Sequence, residues 1–402
     1  MAIQRGKSFT VGERHTVTIE KVAHGGHFIA RHEGQVIFVR HAIPGESVEV
    51  EITSTGSSFV RADAIRIIEP SPDRVTPPCP FSHPGGCGGC DFQHISVERQ
   101  RALKADVIRE QFSRIARREI TVTVEEIGEP LHWRTRLSCA TNVEGRIGFY
   151  ASRTHSVIPV EDCIIAATSI NFPELAKRRW PAQSRIEISA SSSGSRSIAI
   201  ADARRDSKAR MTDGEAISRE EVAGHQLQVS QASFWQSHEI APEVLSSAVR
   251  EFVREGDDVL DLYGGVGLFA AALIDLVGPE GSIELIESSS SAISDARRNF
   301  ADFPNVRIHS GDVSRLLAKV DRAQVVVLDP PRDGAGRDVI VKITALAPRA
   351  IVYVACDPAA LARDSVYLEE NGFELAQLRA YDLFPMTHHV ECVAYFTPFQ
   401  KG

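Results

Sequence analysis

Residues 257–287, DDVLDLYGGVGLFAAALIDLVGPEGSIELIE, hold two short apolar strands with a glycine-rich turn and an apolar helix between them. Strands follow around 306–312, 324–331 and 350–356, with helices around 291–300, 337–346 and 358–372, and two further strands close the chain. Strands that alternate with helices are typical of a doubly wound α/β sheet. The sequence therefore predicts a Rossmann-like domain over residues 236–402.

The glycine-rich turn predicts a site for a nucleotide-like cofactor. Gly264, Gly265 and Gly267 permit a tight turn and a close approach of the cofactor to the backbone. Glu287 ends the next strand, where an acid binds ribose hydroxyls, and Asp312 ends the third strand, near an adenine edge. No Lys-Ser/Thr pair follows the glycines, which excludes a P-loop. The alternative is that the glycines serve packing alone.

Three residues near the ends of later strands have the chemistry of a base-modifying site. Asp329 lies in LDPPRDGAG (328–336), a loop type common in enzymes that methylate nucleic-acid bases, and Cys356 ends the fifth strand. A thiolate that adds to C6 of uracil makes C5 nucleophilic, and a general base must then remove the C5 proton. Glu391, on the last strand, is the candidate base. The alternative for Cys356 is that it is a small buried core residue, and the alternative for Glu391 is that it is an exposed residue of a strand.

The N-terminal part predicts a small β-barrel. Residues 8–68 hold five short strands divided by Gly, Pro and Ser turns, which indicates a barrel of the OB type. We assign residues 1–70 to this domain and 71–235 to a central mixed α+β domain. Such barrels often bind RNA, although the pattern alone does not specify a ligand.

Four cysteines lie close to Gly and Pro in the central region. Cys79, Cys87 and Cys90 form a C-x7-C-x2-C run, and Cys163 follows. This set suits a [4Fe–4S] cluster or a tetrahedral zinc, and the spacing does not decide between them. Unrelated thiols are the third interpretation.

Charge is distributed unevenly along the 402 residues, whose net charge is −8. The excess of acidic residues falls in the C-terminal half, and residues 99–118 are strongly basic. An RNA surface would therefore lie mostly in the N-terminal half, unless the basic run is only a solvated helix face. The first residues lack the apolar core of a signal peptide, and no stretch is long and apolar enough to span a membrane, which predicts a cytoplasmic protein.

Taken together, these motifs resemble the bacterial RNA 5-methyluridine methyltransferases over nearly the whole chain. Residues 8–68 resemble the family's TRAM domain, and YVACDPAALARDS and DLFPMTHHVEC resemble its nucleophile and C-terminal motifs. The resemblance implies S-adenosylmethionine as methyl donor, Cys356 as nucleophile and Glu391 as base. Asp357 stands where the family usually has Asn.

The same resemblance implies a set of ligands. SFWQSH resembles the family's F-x-Q segment, so Gln236, with Tyr263, Glu287, Asp312 and Asp329, would contact the cofactor. The four cysteines resemble the family's [4Fe–4S] ligands, although the gap after Cys79 is longer than usual. The domain content favours 23S rRNA as substrate, with uridine 54 of tRNA as the alternative. A non-catalytic RNA-binding protein and a redox sensor built on the cluster are the other classes.

Overall fold

The structure is a computed structural model that describes residues 9–56, 59–202 and 209–399. Residues 1–8, on which the prediction of no signal peptide partly rests, lie outside the described residues. Among the described residues, no helix is long and apolar enough to cross a membrane.

Five strands form a closed N-terminal barrel in the order β1-β2-β3-β5-β4. Side chains alternate along the strands, so that Val48, Val50 and Ile52 of one strand all enter the barrel core. The predicted OB-like barrel is confirmed. Its strands are β1 (Arg14–Ala23), β2 (His27–His32), β3 (Gln35–Arg40), β4 (Ser47–Thr55) and β5 (Val60–Glu69).

The central region contains a helix, a six-stranded sheet and a separate hairpin. The sheet has the order β12-β11-β10-β7-β8-β9, and β13 pairs with β14. The elements are α1 (Val97–Gln111), a π-helical turn (Phe112–Ala116), β6 (Val124–Glu125), β7 (Arg136–Thr141), β8 (Ile147–Tyr150), β9 (Val157–Pro159), a 3-10 turn (Thr168–Ile170), α2 (Phe172–Lys177), β10 (Ser184–Ala190), β11 (Arg196–Asp202), β12 (Arg210–Asp213), β13 (Ile217–Val222) and β14 (His225–Ser230).

The C-terminal region builds an eight-stranded sheet in the order β17-β16-β15-β18-β19-β21-β20-β6. Strands β15 to β19 run parallel, and β21 is antiparallel to both of its neighbours. The elements are α3 (Ala241–Arg250), β15 (Asp258–Leu262), α4 (Leu268–Val277), β16 (Ser282–Glu287), α5 (Ser290–Asn299), β17 (Val306–Ser310), α6 (Val313–Leu316), a 3-10 turn (Leu317–Lys319), β18 (Val325–Leu328), α7 (Gly336–Ala345), β19 (Ala350–Ala355), α8 (Pro358–Glu370), β20 (Phe373–Tyr381) and β21 (Glu391–Pro398).

Helices cover both faces of this sheet, which confirms the doubly wound α/β prediction. Val325 and Val327 of β18 join the core beneath α3, α4 and α5, whereas Val326 and Leu328 join the core beneath α1, α7 and α8. Because both faces are buried, the central strands are apolar at nearly every position. Because strands β15 to β19 are parallel, their carboxyl ends lie along one edge of the sheet. The strand order reverses between β15 and β18, which is the position where open α/β sheets bind ligands.

Two elements from the central region also belong to this sheet. Strand β6 pairs in parallel with β20, and Ile108 and Phe112 pack into the core beneath α7 and α8. Within the basic run, Lys104 is fully buried against Asp382. Arg101 and Arg118 are also paired, with Glu126 and Glu369. Much of the basic run therefore serves packing and ion pairing.

Candidate active site

The glycine-rich turn has the backbone geometry that its sequence predicts. Gly265 and Gly267 have φ values of 58° and 100°, which glycine adopts at little cost. A Cβ on Gly267 would lie 2.2 Å from the Phe300 ring, and one on Gly264 would lie 2.6 Å from Leu285. The first and third glycines are thus required for close packing, and the turn leads directly into α4.

The carboxylate of Glu287 ties the second strand end to the glycine turn. Its Oε2 accepts a hydrogen bond of 3.0 Å from the Gly265 amide, and its Oε1 accepts 2.6 Å bonds from the Ser288 and Ser289 amides. The carboxylate is therefore fixed at the edge of the sheet, beside the turn. Tyr263, directly before the glycines, is half-buried with φ of 60°, and burial raises its pKa to about 12.

Asp312 and Gln236 lie in different settings. Asp312 is exposed and caps α6, since its Oδ1 accepts a 3.1 Å bond from the Arg315 amide. Gln236 is buried, 8% exposed, at the end of a segment that Asp295 of α5 holds through bonds from Ser230 and Ser233. This segment thus packs against the helix that follows Glu287.

The loop after β18 is anchored to the helix that follows Cys356. The Ala335 amide donates to the Tyr353 hydroxyl at 3.0 Å and to Asp364 Oδ2 at 2.8 Å. Arg363 of α8 donates to the Asp333 carbonyl at 2.7 Å. The loop that carries Asp329 and the strand end that carries Cys356 are therefore held in a fixed relation.

Cys356, Glu391 and Asp329 come together at the carboxyl end of the sheet. Burial, and then the negative charges of Glu391 and Asp329, together raise the pKa of the Cys356 thiol to about 12, although Arg332 opposes the shift. Burial, and then the charge of Asp329, raises the pKa of Glu391, which is 4% exposed. Two carboxyl groups thus share one water-poor site with the thiol, and they cannot both ionise there easily.

Two residues at this edge are absent from our sequence-based set. His24, in the β1–β2 turn of the barrel, lies with its Nε2 3.0 Å from Asp357 Oδ2, next to Cys356. Asp357 Oδ1 meanwhile accepts a 2.8 Å bond from the Ala360 amide and caps α8. No sequence signal joins His24 to a residue more than 300 positions later.

Asp261 is the second missed residue. It begins DLYGGVG, is fully buried, and neither of its carboxyl oxygens has a hydrogen-bond partner among the described residues. Burial raises its pKa to about 8. Its place in the glycine motif was the available signal.

The loop that leads to Glu391 is held by N-terminal segments. Lys104 of α1 donates to Asp382 Oδ1 at 2.5 Å and to the Phe384 carbonyl at 3.0 Å. The amide of Asp91, beside Cys90, donates to the Met386 carbonyl at 3.1 Å, and its side chain lies 2.6 Å from His388 Nδ1. The position of Glu391 therefore depends on contacts made by the cysteine-rich segment and by α1.

The four predicted cysteine ligands line one cavity of about 250 Å³. Burial raises the pKa of each of these four thiols. Among the described residues, no group of three or more His, Cys, Asp or Glu side chains has the geometry of a metal site. Cys139 lies in the adjacent core, and Cys392 is buried in β21.

Comparison with known proteins identifies the family. The family models for the TRAM domain and for tRNA (uracil-5-)-methyltransferase match residues 8–65 and 197–398. An RNA methyltransferase of Streptomyces coelicolor is 41% identical, over 98% of this chain and 94% of its own. The 23S rRNA (uracil(1939)-C(5))-methyltransferase of Shewanella amazonensis is 31% identical, over 96% of both chains.

A solved structure has the same fold. The tRNA (uracil-54, C5)-methyltransferase of Pyrococcus abyssi, in complex with S-adenosyl-L-homocysteine, aligns with a TM-score of 0.71 and 21% identity over 95% of this chain and 99% of its own. The chain belongs to the tRNA (uracil-5-)-methyltransferase family and is an S-adenosylmethionine-dependent RNA (uracil-C5) methyltransferase with an N-terminal TRAM domain.

Proposed function

We propose that the protein methylates C5 of a uridine in 23S rRNA through a covalent intermediate on Cys356. The convergence of Cys356 with Glu391 and Asp329, at the edge of the sheet that carries the glycine turn, is the observation that carries this proposal. Gln236, Tyr263, Glu287, Asp312 and Asp329 are the proposed contacts to S-adenosylmethionine.

In the proposed mechanism, the Cys356 thiolate adds to C6 of the uracil ring, and the electrons of the C5–C6 bond move onto the ring carbonyl. When bound, S-adenosylmethionine would supply the methyl group to C5, with cleavage of its methyl–sulfonium bond and release of S-adenosylhomocysteine. Glu391 removes the proton from C5, and the C6–sulfur bond breaks, so that the thiolate and the aromatic ring are restored.

Charge decides when these groups are reactive. The pKa of Cys356 is about 12 in the protein alone, which keeps the sulfur protonated at neutral pH. The N-terminus of α8, directly after Asp357, favours a thiolate, as does Arg332. A cationic sulfonium bound beside Asp329 would offset the carboxyl charges and lower the pKa of both Cys356 and Glu391.

The four cysteines line one cavity of about 250 Å³, and their number and residue type suit either a [4Fe–4S] cluster or a tetrahedral zinc. The resemblance to the methyltransferase family favours the cluster. We propose that Cys79, Cys87, Cys90 and Cys163 hold a [4Fe–4S] cluster. Its role would be structural, because the segment pinned by Cys90 supports the loop of Glu391. If the cluster were instead a redox sensor, its loss would change the affinity of the protein for RNA reversibly.

We also propose three domains, over residues 1–70, 71–235 and 236–402. The 23S rRNA assignment is supported by curated relatives from Shewanella that bear that activity in their names. The tRNA alternative differs only in the RNA that is bound.

The test is methyl transfer to unmodified RNA. Purified protein with S-adenosylmethionine would be given 23S rRNA and tRNA transcripts separately, and new 5-methyluridine would be mapped by mass spectrometry. We expect one new site, in 23S rRNA. A site in tRNA would select the alternative RNA. No methyl group on either, from protein with intact iron, would favour a non-catalytic RNA-binding protein, which trapping on 5-fluorouridine RNA would test independently.

A further inference from the structure

A cavity of about 560 Å³ lies between the barrel and the central region, apart from the residues of the proposed active site. Strands β3, β4 and β5 form one wall, and residues 85–86 and 151–154 form the other. Its size falls in the range of sites that bind small molecules or nucleotides, about 300–1,000 Å³.

Three arginines converge on this cavity. Arg40 is 9% exposed and contacts Asp91 at 3.3 Å. Arg61 and Arg153 form no ion pair within the described parts of the chain, 9–56, 59–202 and 209–399. Arg153 is exposed overall, and partial burial, followed by repulsion from Arg61 and Arg40, lowers its pKa. Asp63 is the carboxyl group in the same lining, and burial raises its pKa. The cavity therefore has an excess of positive charge.

Aromatic rings accompany these charges. Phe38 lines the cavity and is only half-buried, with its ring centroid 6.1 Å from that of His27 and 5.8 Å from that of Phe59. The Arg61 guanidinium lies 4.5 Å above the Phe59 ring. Exposed aromatic rings beside arginines are the usual means by which proteins hold unstacked bases.

His27 contributes an unused hydrogen-bond acceptor. Its Nδ1 lies 2.8 Å from the Gly25 carbonyl, so Nδ1 carries the hydrogen. The ring is 7% exposed, and burial lowers its pKa to about 4, so it is neutral at pH 7. Nε2 then holds a lone pair, and it has no partner in the described part of the protein. Inorganic phosphate has few hydrogens to donate to such an atom, whereas a ribose hydroxyl or a base amino group can donate one.

We propose that this cavity binds one unpaired nucleotide of the substrate RNA, distinct from the uridine that is methylated. The phosphate would lie between Arg61 and Arg153, the base would contact Phe38, and His27 Nε2 would accept from the ribose 2′-hydroxyl or a base amino group. This inference rests on the proposed function for the identity of the RNA.

The cavity is connected to both of the other sites. His27 lines it, while His24, three residues earlier, contacts Asp357 beside Cys356. On the opposite wall, Ala151 pairs with Cys87, and a Cβ on Gly88 would lie 2.8 Å from the Ser152 amide nitrogen. A nucleotide bound here would therefore fix the barrel against the cysteine-rich segment, close to Asp357 and Cys356.

The test compares Arg61→Gln and Arg153→Gln with the control Arg66→Gln, which removes an equal charge from the same barrel at a residue paired with Glu49. Binding of an unmodified 23S rRNA transcript would be measured at several salt concentrations, beside melting curves. We expect each cavity variant to weaken binding about tenfold and to reduce the salt slope by about one, with the methylation rate at saturating RNA unchanged. The control should change binding less than twofold.

His27→Phe would be tested on a short oligo(A) RNA and its deoxy counterpart. Loss of binding to RNA alone would identify the ribose hydroxyl as donor, and equal loss on both would identify the base. Unchanged binding by all three cavity variants would overturn the proposal, as would displacement of the transcript by AMP or inorganic phosphate at micromolar concentration. Methyl transfer by the unaltered protein to its RNA is the separate test of the proposed function.

Discussion

The proposed catalytic edge, which is the end of the sheet that carries Cys356, Glu391 and Asp329, and the four-cysteine cavity both contain buried thiols, but the groups around those thiols differ. Burial raises the pKa of Cys356 and of Cys163 to about 12 in each case. Around Cys356 the next contributors are the carboxyl groups Glu391 and Asp329, whereas around Cys163 the next is the Cys87 thiol. The pKa of a buried thiol therefore does not indicate the role of that thiol. Carboxyl neighbours suit proton transfer, and thiol neighbours suit shared binding of a cation.

Serine substitutions at Cys356 and Cys163 should separate the two regions directly. Cys356→Ser should reduce methyl transfer by roughly 10⁴-fold or more, because the covalent step is lost, and should leave the melting temperature within about 2 °C. Cys163→Ser should instead lower the melting temperature and the iron content. Methylation assays and thermal melts measure both. Equal losses of methyl transfer and of melting temperature in the two variants would contradict this distinction.

Glu391→Gln tests whether a carboxyl group beside Cys356 takes up the proton from C5. We expect turnover to fall by about 10²–10⁴-fold, since the C5 proton has no acceptor, while a covalent RNA adduct accumulates. Denaturing gels with labelled RNA would show that adduct. The exposed Glu280→Gln is the control and should behave like the unaltered protein. Full turnover in Glu391→Gln would assign the base elsewhere.

Lys104→Met tests whether the catalytic edge depends on the central region. The variant leaves the buried Asp382 carboxylate without its partner, and we expect a loss of about 3–5 kcal/mol in the free energy of unfolding. Urea titration measures this. The double variant Lys104→Met with Asp382→Leu should recover much of the loss. An unchanged free energy of unfolding in Lys104→Met alone would show that the ion pair is dispensable for stability.

The pH dependence of stability tests the carboxyl excess at the glycine turn. Burial raises the pKa of Asp261 from 3.8 to about 8. When the pKa of a carboxyl group is higher in the folded protein than in the unfolded protein, its contribution to stability is fully present below the unfolded-state pKa. This contribution is lost as the pH rises towards the folded-state pKa. Asp261→Asn should therefore gain stability over the unaltered protein between about pH 4 and pH 8, by at most about 1.4 kcal/mol per pH unit. Asp302→Asn should show no such gain.

The contact between His24 of the barrel and Asp357 should contribute least. His24→Ala removes a partly exposed ion pair with Asp357, so the Michaelis constant for RNA should change only a few-fold, which corresponds to at most about 1 kcal/mol. We expect the Michaelis constant for RNA to rise, with little change in the maximal rate. Steady-state kinetics separate the two quantities. A large fall in the maximal rate would make His24 a participant at Cys356 itself.

Local pattern predicted the strands and helices of both the barrel and the catalytic sheet, because burial on one or two faces imposes its period on the sequence. It also located Cys356 and Asp329, which lie at strand ends. It did not find strand β6, since Val124 and Glu125 are too few residues to carry a period. His24 and the Lys104–Asp382 pair were missed for a different reason. Such contacts join distant segments through tertiary packing, and no spacing encodes them.

The pair between Lys104 and Asp382 has a consequence for synthesis of the chain. The two residues are 278 positions apart, and a ribosome adds about 5–20 residues per second. Lys104 and strand β6 therefore emerge well before β20 and β21, which complete the sheet. Until then, the nascent chain holds a lysine destined for the interior with no counter-ion and a strand with no neighbour. The catalytic edge is assembled last, and premature termination would leave a protein without Glu391.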